Sequence, residues 1–177
     1  MKTYNLKKLI IRPAKLEDAE GIARVHVLTW QYAYKGLMPA DYLNSLSIEI
    51  RTEKWQKNLS QKDDNVQAFV AELNDQIIGF CSVGKCRDDD MEAQTGELWA
   101  IYVDQNYMGQ GVGTKLMNVG FNHLRELGFR KAMLWVLIGN VKTRKWYESK
   151  DWQLEGKTKS ESKEWFELDE IRYLIDL

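Results

Sequence analysis

Apolar residues recur along this chain with two periods, and each period marks an element. Residues 6–12 read as a first strand, closed by Pro13, which has no N–H for a ladder. From about residue 15 to 34, Leu16, Ala19, Ile22, Ala23, Val27 and Trp30 return at three- and four-residue spacing. That is the stripe of an amphipathic helix, which Gly36 and Pro39 break. Ser47 reads as the N-cap of a second helix over 49–59. Residues 66–73 and 76–85 are β-rich runs joined by Asn74-Asp75, a tight hairpin. A charged loop, 87–92, leads to a strand over 97–103, a glycine turn over 109–113 and a helix over 112–127. That helix carries Val112, Leu116, Val119 and Leu124, and Gly128 ends it. A strand at 131–138, a short helix at about 141–150 and closing strands at 152–156 and 165–175 complete the order.

Hairpins require antiparallel neighbours and a strand–helix–strand unit requires a parallel pair, so this is an α/β chain with a mixed sheet. Its 177 residues suit one domain, 1–177. Hydrophobic residues at 44% and charged residues at 29% are globular values and exclude extended disorder. Basic and acidic residues number 25 and 26, so no field of one sign draws in nucleic acid or an anionic membrane. No run approaches the roughly 20 apolar residues of a membrane span, and 1–10 lacks a signal-peptide core. The expected location is the cytoplasm. Cys81 and Cys86 lie five apart without metal-ligand spacing, and read as free thiols. No metal site is expected.

The most informative stretch is Leu98-Trp99-Ala100-Ile101-Tyr102-Val103 followed by Met108-Gly109-Gln110-Gly111-Val112-Gly113-Thr114. Three alternate glycines clear side chains from a strand-to-helix turn, so backbone N–H groups can converge on a ligand. The helix start adds unpaired donors and about half a positive charge, which suits a phosphate or pyrophosphate. A P-loop needs Gly-Lys-Ser/Thr at the far end, where Thr114 stands in place of the second glycine. The dinucleotide fingerprint fails at the same residue.

Gly109-Gln110-Gly111-Val112-Gly113, after Ile101-Tyr102-Val103, resembles the acyl-CoA-binding motif of the GCN5-related N-acetyltransferase (GNAT) superfamily. Asn140-Val141-Lys142-Thr143-Arg144-Lys145-Trp146-Tyr147 resembles that family's Asn-x-x-Ala-x-x-Phe-Tyr segment, with Asp151-Trp152 where Gly-Phe is usual. Met108 departs from the usual Arg or Gln, and Thr143 from a small alanine. The resemblance implies a GNAT fold: a mixed, mostly antiparallel sheet of about seven strands, helices on both faces, and a splayed parallel central pair. It also implies acetyl-CoA as co-substrate and acetyl transfer to an amine. The cofactor would lie on Ile101, Tyr102, Val103, Met108, Gly109, Gln110, Gly111, Val112, Gly113, Thr114, Asn140 and Tyr147.

The implied roles match what the chemistry needs. An alkyl ammonium has a pKa near 10.4, so its neutral form at pH 7 costs about 4–5 kcal/mol and a base must relieve it. Glu97 falls where a catalytic glutamate sits in the histone-acetylating branch; its other reading is a solvated or paired strand end. Tyr147 holds the family's general-acid position; its other reading is a core aromatic beside Trp146. His26, Trp30 and Tyr34 lie four apart on the first helix, where the family walls its acceptor pocket. Their other reading has Trp30 as core and His26 as a satisfied helix histidine. Asp88-Asp89-Asp90 reads as an attractor of polyamines or basic peptides, or as a solvated loop.

A small-molecule amine is the expected acceptor, by direct transfer. A protein N-terminus or lysine is the first rival, and a non-catalytic acyl-CoA-binding module the second. An exposed Trp165-Phe166 edge favours a homodimer.

Overall fold

The hairpin at Asn74-Asp75 forms as expected, with φ of +50° and +61°, the left-handed pair that a two-residue turn requires. It joins β2 (Val66–Leu73) to β3 (Gln76–Lys85). The computed structural model describes residues 6, 8–61, 66–163 and 166–177. The other strands are β1 (Ile10–Pro13), β4 (Thr95–Val103), β5 (Lys131–Leu137), β6 (Gln153–Lys163) and β7 (Phe166–Asp176). The helices are α1 (Ala19–Ala33), α2 (Ala40–Ser45), α3 (Ile48–Ser60), α4 (Val112–Glu126) and α5 (Val141–Glu148).

These strands make one seven-stranded sheet in the order β1-β2-β3-β4-β5-β7-β6. The β4–β5 pair is parallel and the other neighbours are antiparallel. The parallel ladder is short: Thr95, Gly96 and Glu97 oppose Lys131, Ala132 and Met133, and beyond them the strands part. On its other side β4 bulges, because Ser82 opposes Ala100 while Val83 opposes Leu98, leaving Trp99 without an opposite residue. The break in pairing and the bulge together re-aim the second half of β4.

One face of the sheet packs α4 and α5 through Leu98, Leu116, Leu124, Leu134, Tyr147 and Tyr173. There Gly120 lets α4 come close to β3: a Cβ on it would lie 2.8 Å from Val83 Cγ1. The opposite face packs α1 and α3 over β1–β4 through Ile22, Val25, Trp55, Val70 and Phe80. A smaller apolar cluster of Met38, Leu43, Leu137 and Leu168 ties the α1–α2 region to β5 and β7.

Several boundaries differ from the sequence reading. β1 begins at Ile10 and includes Pro13, which an edge strand tolerates. The first helix opens with a 3-10 turn over Leu16–Asp18. The short α2 was not anticipated, and β6 continues past Gly156 to Lys163. Of the expected dimer edge, Trp165 lies outside the described residues, and the Phe166 ring meets Tyr42 edge-on with centroids 4.9 Å apart. Among the described residues no helix is long and apolar enough to cross a membrane.

Candidate active site

Two cavities meet where β4 and β5 part, and Ile101, Val103, Met108, Asn140, Thr143 and Tyr147 line both. The larger, about 940 Å³, runs along the glycine turn and α5. The second, about 490 Å³, lies among α1, the β3–β4 loop and the β6–β7 hairpin.

The larger cavity is built for an anionic, elongated ligand. Gly109 and Gly111 have φ of +73° and +85°, so the turn needs residues without a Cβ. Gly111 is the N-cap of α4, and the N–H groups of Val112, Gly113 and Thr114 have no acceptor within the helix. Lys115 N–H is the first to bond back, to the Gly111 carbonyl at 3.1 Å. Lys35, Lys142 and Lys150 line the same cavity and add positive charge. Beyond Glu97, β4 has no partner on the β5 side, so its backbone is free to pair with an extended chain. A diphosphate at the turn and an amide-bearing arm along β4 fit this arrangement.

Of the expected cofactor residues, Ile101, Val103, Met108, Gly109, Gly111, Gly113, Thr114, Asn140 and Tyr147 line this cavity. Three do not. Tyr102 faces the second cavity, the Val112 side chain is core, and the Gln110 amide donates to the Asn106 carbonyl. Asn140 caps α5: its Oδ1 accepts from Thr143 N–H at 3.2 Å. The part left for a ligand is therefore its NH₂. Met108 packs its side chain against the main core, so it presents backbone and apolar surface here. Asp151 has φ of +67°, a conformation that glycine adopts freely and that aspartate tolerates better than most residues. Its neighbour Trp152 meets Tyr147 edge-on, with ring centroids 5.8 Å apart.

Tyr147 is 6% exposed. Burial, and then the neighbouring Tyr102, raise its pKa well above the ordinary phenol value, so it is a protonated donor at any working pH. Glu97, 2% exposed, lines the second cavity. Arg87 wraps its carboxylate: Arg87 N–H and Nε each donate to Oε2 at 3.0 Å, and Nη2 donates to Oε1. Glu97 is thus a buried, paired carboxylate that also faces a cavity. The Arg87 guanidinium lies over Trp99, 4.6 Å from its ring centroid. Sequence reasoning missed Arg87 because nothing local signals that a loop residue ten positions upstream folds back onto the strand.

The three candidates on the first helix and its end do not line one cavity. Trp30 and Tyr34 line the second cavity, and Tyr34 OH meets Tyr102 OH at 3.3 Å. His26 does not line it. Its Nδ1 accepts from Trp55 Nε1 at 3.3 Å, and its ring stacks on Tyr102 with centroids 5.1 Å apart. Burial, and then Arg51, push its pKa down to about 3. The unfolded chain binds this proton below about pH 6.5 and the folded chain refuses it, so stability falls as pH drops from 6.5 towards 3. His26→Gln keeps an acceptor for Trp55 but cannot titrate. Its unfolding free energy from urea titrations should fall less steeply over that range, and an unchanged slope would contradict a neutral His26.

Cys81 is buried, its thiol pushed up to about 12 by burial, and Cys86 is a second free cysteine. Among the described residues no group of three or more His, Cys, Asp or Glu could hold a metal ion.

A family model described as "Acetyltransferase (GNAT) family" matches residues 27–151. The uncharacterized N-acetyltransferase YuaI of Bacillus subtilis is 39% identical over 131 residues, which cover 73% of this chain and 72% of that protein. The probable N-acetyltransferase Rv2775 of Mycobacterium tuberculosis is 27% identical over 158 residues, 89% of this chain and 86% of its own. Among solved structures, the PaiA N-acetyltransferase of Thermoplasma acidophilum in complex with coenzyme A superposes with a TM-score of 0.73. It is 20% identical and covers 93% of this chain and 99% of that one. At that identity the likeness speaks for the fold.

Proposed function

The chain belongs to the acetyltransferase (GNAT) family, and from that premise we propose that it moves the acetyl group of acetyl-CoA directly to a primary amine of a small molecule. Glu97 is the base and Tyr147 the acid. The observation that carries this reading is the meeting of two cavities at Tyr147, one suited to a diphosphate and an extended arm, the other to an amine.

The turn amides of 111–114 and the lysines hold the diphosphate, and the β4 backbone with the Asn140 NH₂ orients the arm. Acetyl-CoA supplies the activated acyl group. Glu97 draws the proton from the acceptor ammonium. Arg87's three donors fill three of about four acceptor sites on the carboxylate, leaving one on Oε1 for the amine or a relaying water. Backbone N–H groups near Ile101–Val103 face the carbonyl oxygen as charge builds on it. The freed amine forms the C–N bond as the C–S bond breaks; Tyr147 protonates the departing thiolate, and the second proton shed by the attacking nitrogen restores the phenol. A thiol pKa of about 8.5 lies below an ordinary phenol's roughly 10, and burial lifts the Tyr147 phenol further, so the proton passes in concert with bond cleavage rather than before it.

Met38, Leu137 and Leu168 bound the acceptor cavity, which favours a small amine over a peptide lying in an open groove. An amine panel read by release of free CoA thiol tests this directly. Small primary amines should turn over, and activity confined to peptides would overturn the acceptor class. For the base, Glu97→Gln should lower kcat/KM by about 10²-fold or more and change the acidic limb of the rate–pH profile. An unaltered acidic limb would remove Glu97 from that role.

A further inference from the structure

Arg172 is 3% exposed, on β7 opposite Trp135 of β5, and it is the most heavily bonded cation among the described residues. Its Nη1 donates to Asp88 at 3.0 Å and Asp90 at 2.9 Å. Its Nη2 donates to Asp90 at 3.0 Å and to Glu155 at 2.8 Å, and its Nε reaches Glu155 at 3.1 Å. Trp135 Nε1 also donates to Asp88, at 3.1 Å, and Lys157 pairs with Asp90 at 2.8 Å. Asp88 and Asp90 belong to the β3–β4 loop and Glu155 to β6, so one guanidinium fastens the loop to the far half of the sheet. Asp88 follows Arg87 directly in the chain, and Arg87 grips Glu97.

The placement matters because the ladder does not do this work. The β4–β5 pairing stops at Glu97 and Met133, so beyond that level no strand hydrogen bond holds β4 to the β5–β7–β6 half. On the acceptor face the Arg172 cluster spans that gap. A surface ion pair would contribute little, but a buried fork with several carboxylates loses its compensation when one partner goes.

We propose that Arg172 is a positioning residue for the acetyl transfer: through Asp88 it sets the β3–β4 loop so that Arg87 holds Glu97 at the acceptor cavity. This rests on Glu97 being the base. Asp88-Asp89-Asp90 is thereby not a mere solvated run; Asp88 and Asp90 are the loop's anchors. The cofactor cavity is lined by other residues, so the effect falls on the acceptor side.

The test is a double-mutant cycle on the full chain, with the amine that turns over best. Arg172→Gln should lower kcat about tenfold or more and leave the acetyl-CoA KM within about twofold. Arg172→Lys should recover part of kcat, because one ammonium keeps the charge without the fork. In an Arg87→Gln background, Arg172→Gln should cost less than about twofold, as residues acting through one another are not additive. If Arg172→Gln does not fold, Asp88→Asn carries the same cycle. A wild-type kcat in Asp88→Asn, or losses that multiply with Arg87→Gln, overturns the proposal. Glu97→Gln separates the two levels: a wild-type rate there removes the base itself, whereas a loss there with multiplying losses in the cycle removes only Arg172's role.

Discussion

Tyr147→Phe should lower turnover by about 10²-fold or more while acetyl-CoA binds within a few-fold of its normal affinity. The expectation follows from what the substitution removes. Phenylalanine keeps the ring that packs against Trp146 at 5.0 Å and Trp152 at 5.8 Å between centroids, so the floor of the site stays in place. Only the hydroxyl goes. Burial holds that hydroxyl protonated, which makes it a donor and excludes it as a base. Without it the departing thiolate must find its proton in water. Calorimetry with acetyl-CoA and a steady-state assay of thiol release distinguish the outcomes. Unchanged turnover would take Tyr147 out of the mechanism, and lost binding would make it a cofactor residue.

Gly111→Asp should lower acetyl-CoA affinity on the order of 10²-fold or more, with native circular dichroism. Two unit charges about 4 Å apart interact by about 4 kcal/mol at an effective dielectric near 20, enough for a loss of that size. The helix should tolerate the change, because aspartate accepts a left-handed φ better than most residues and a Cβ at this place meets nothing within 4 Å. Its carboxylate would accept from the amides that the diphosphate needs, closing the cradle from inside. Gly111 has φ of +85°, so part of any loss is backbone strain. Gly111→Ala isolates that part, since a Cβ there meets nothing within 4 Å. The alanine variant should lose about 1 kcal/mol of stability and keep most of its affinity. Equal losses in both variants would assign the effect to strain and remove the phosphate cradle.

The parts of the fold legible in the sequence are those with local causes. The Asn74-Asp75 turn, the α1 and α4 stripes and the strand–glycine–helix unit each announce themselves within a dozen residues. α2 does not, because six residues between Pro39 and Leu46 are too few to show a period. The far half of β6 reads Lys157-Thr158-Lys159-Ser160-Glu161-Ser162. Exposed along its length, it has no buried face to impose alternation.

The candidate site is legible along the chain and not across it. Glu97, Tyr147, Asn140 and the glycines stand in continuous motifs. Arg87, Trp135 and Lys35 reach the site from separate elements, while Arg172 bonds Asp88 at its edge, and no spacing predicts these meetings. His26 shows the limit of counting by fours. Each step of four residues overshoots a full turn by about 40°, so His26 and Tyr34 diverge by about 80° around α1. Tyr34 faces the acceptor cavity while His26 turns to Trp55.

The most direct test of the whole account is a crystal of the protein soaked with acetyl-CoA. Its diphosphate oxygens should lie within hydrogen-bond distance of the amides at 111–114, with the thioester beside Tyr147 at the junction of the two cavities. A thioester bound along any other surface, leaving those amides to solvent, would contradict it.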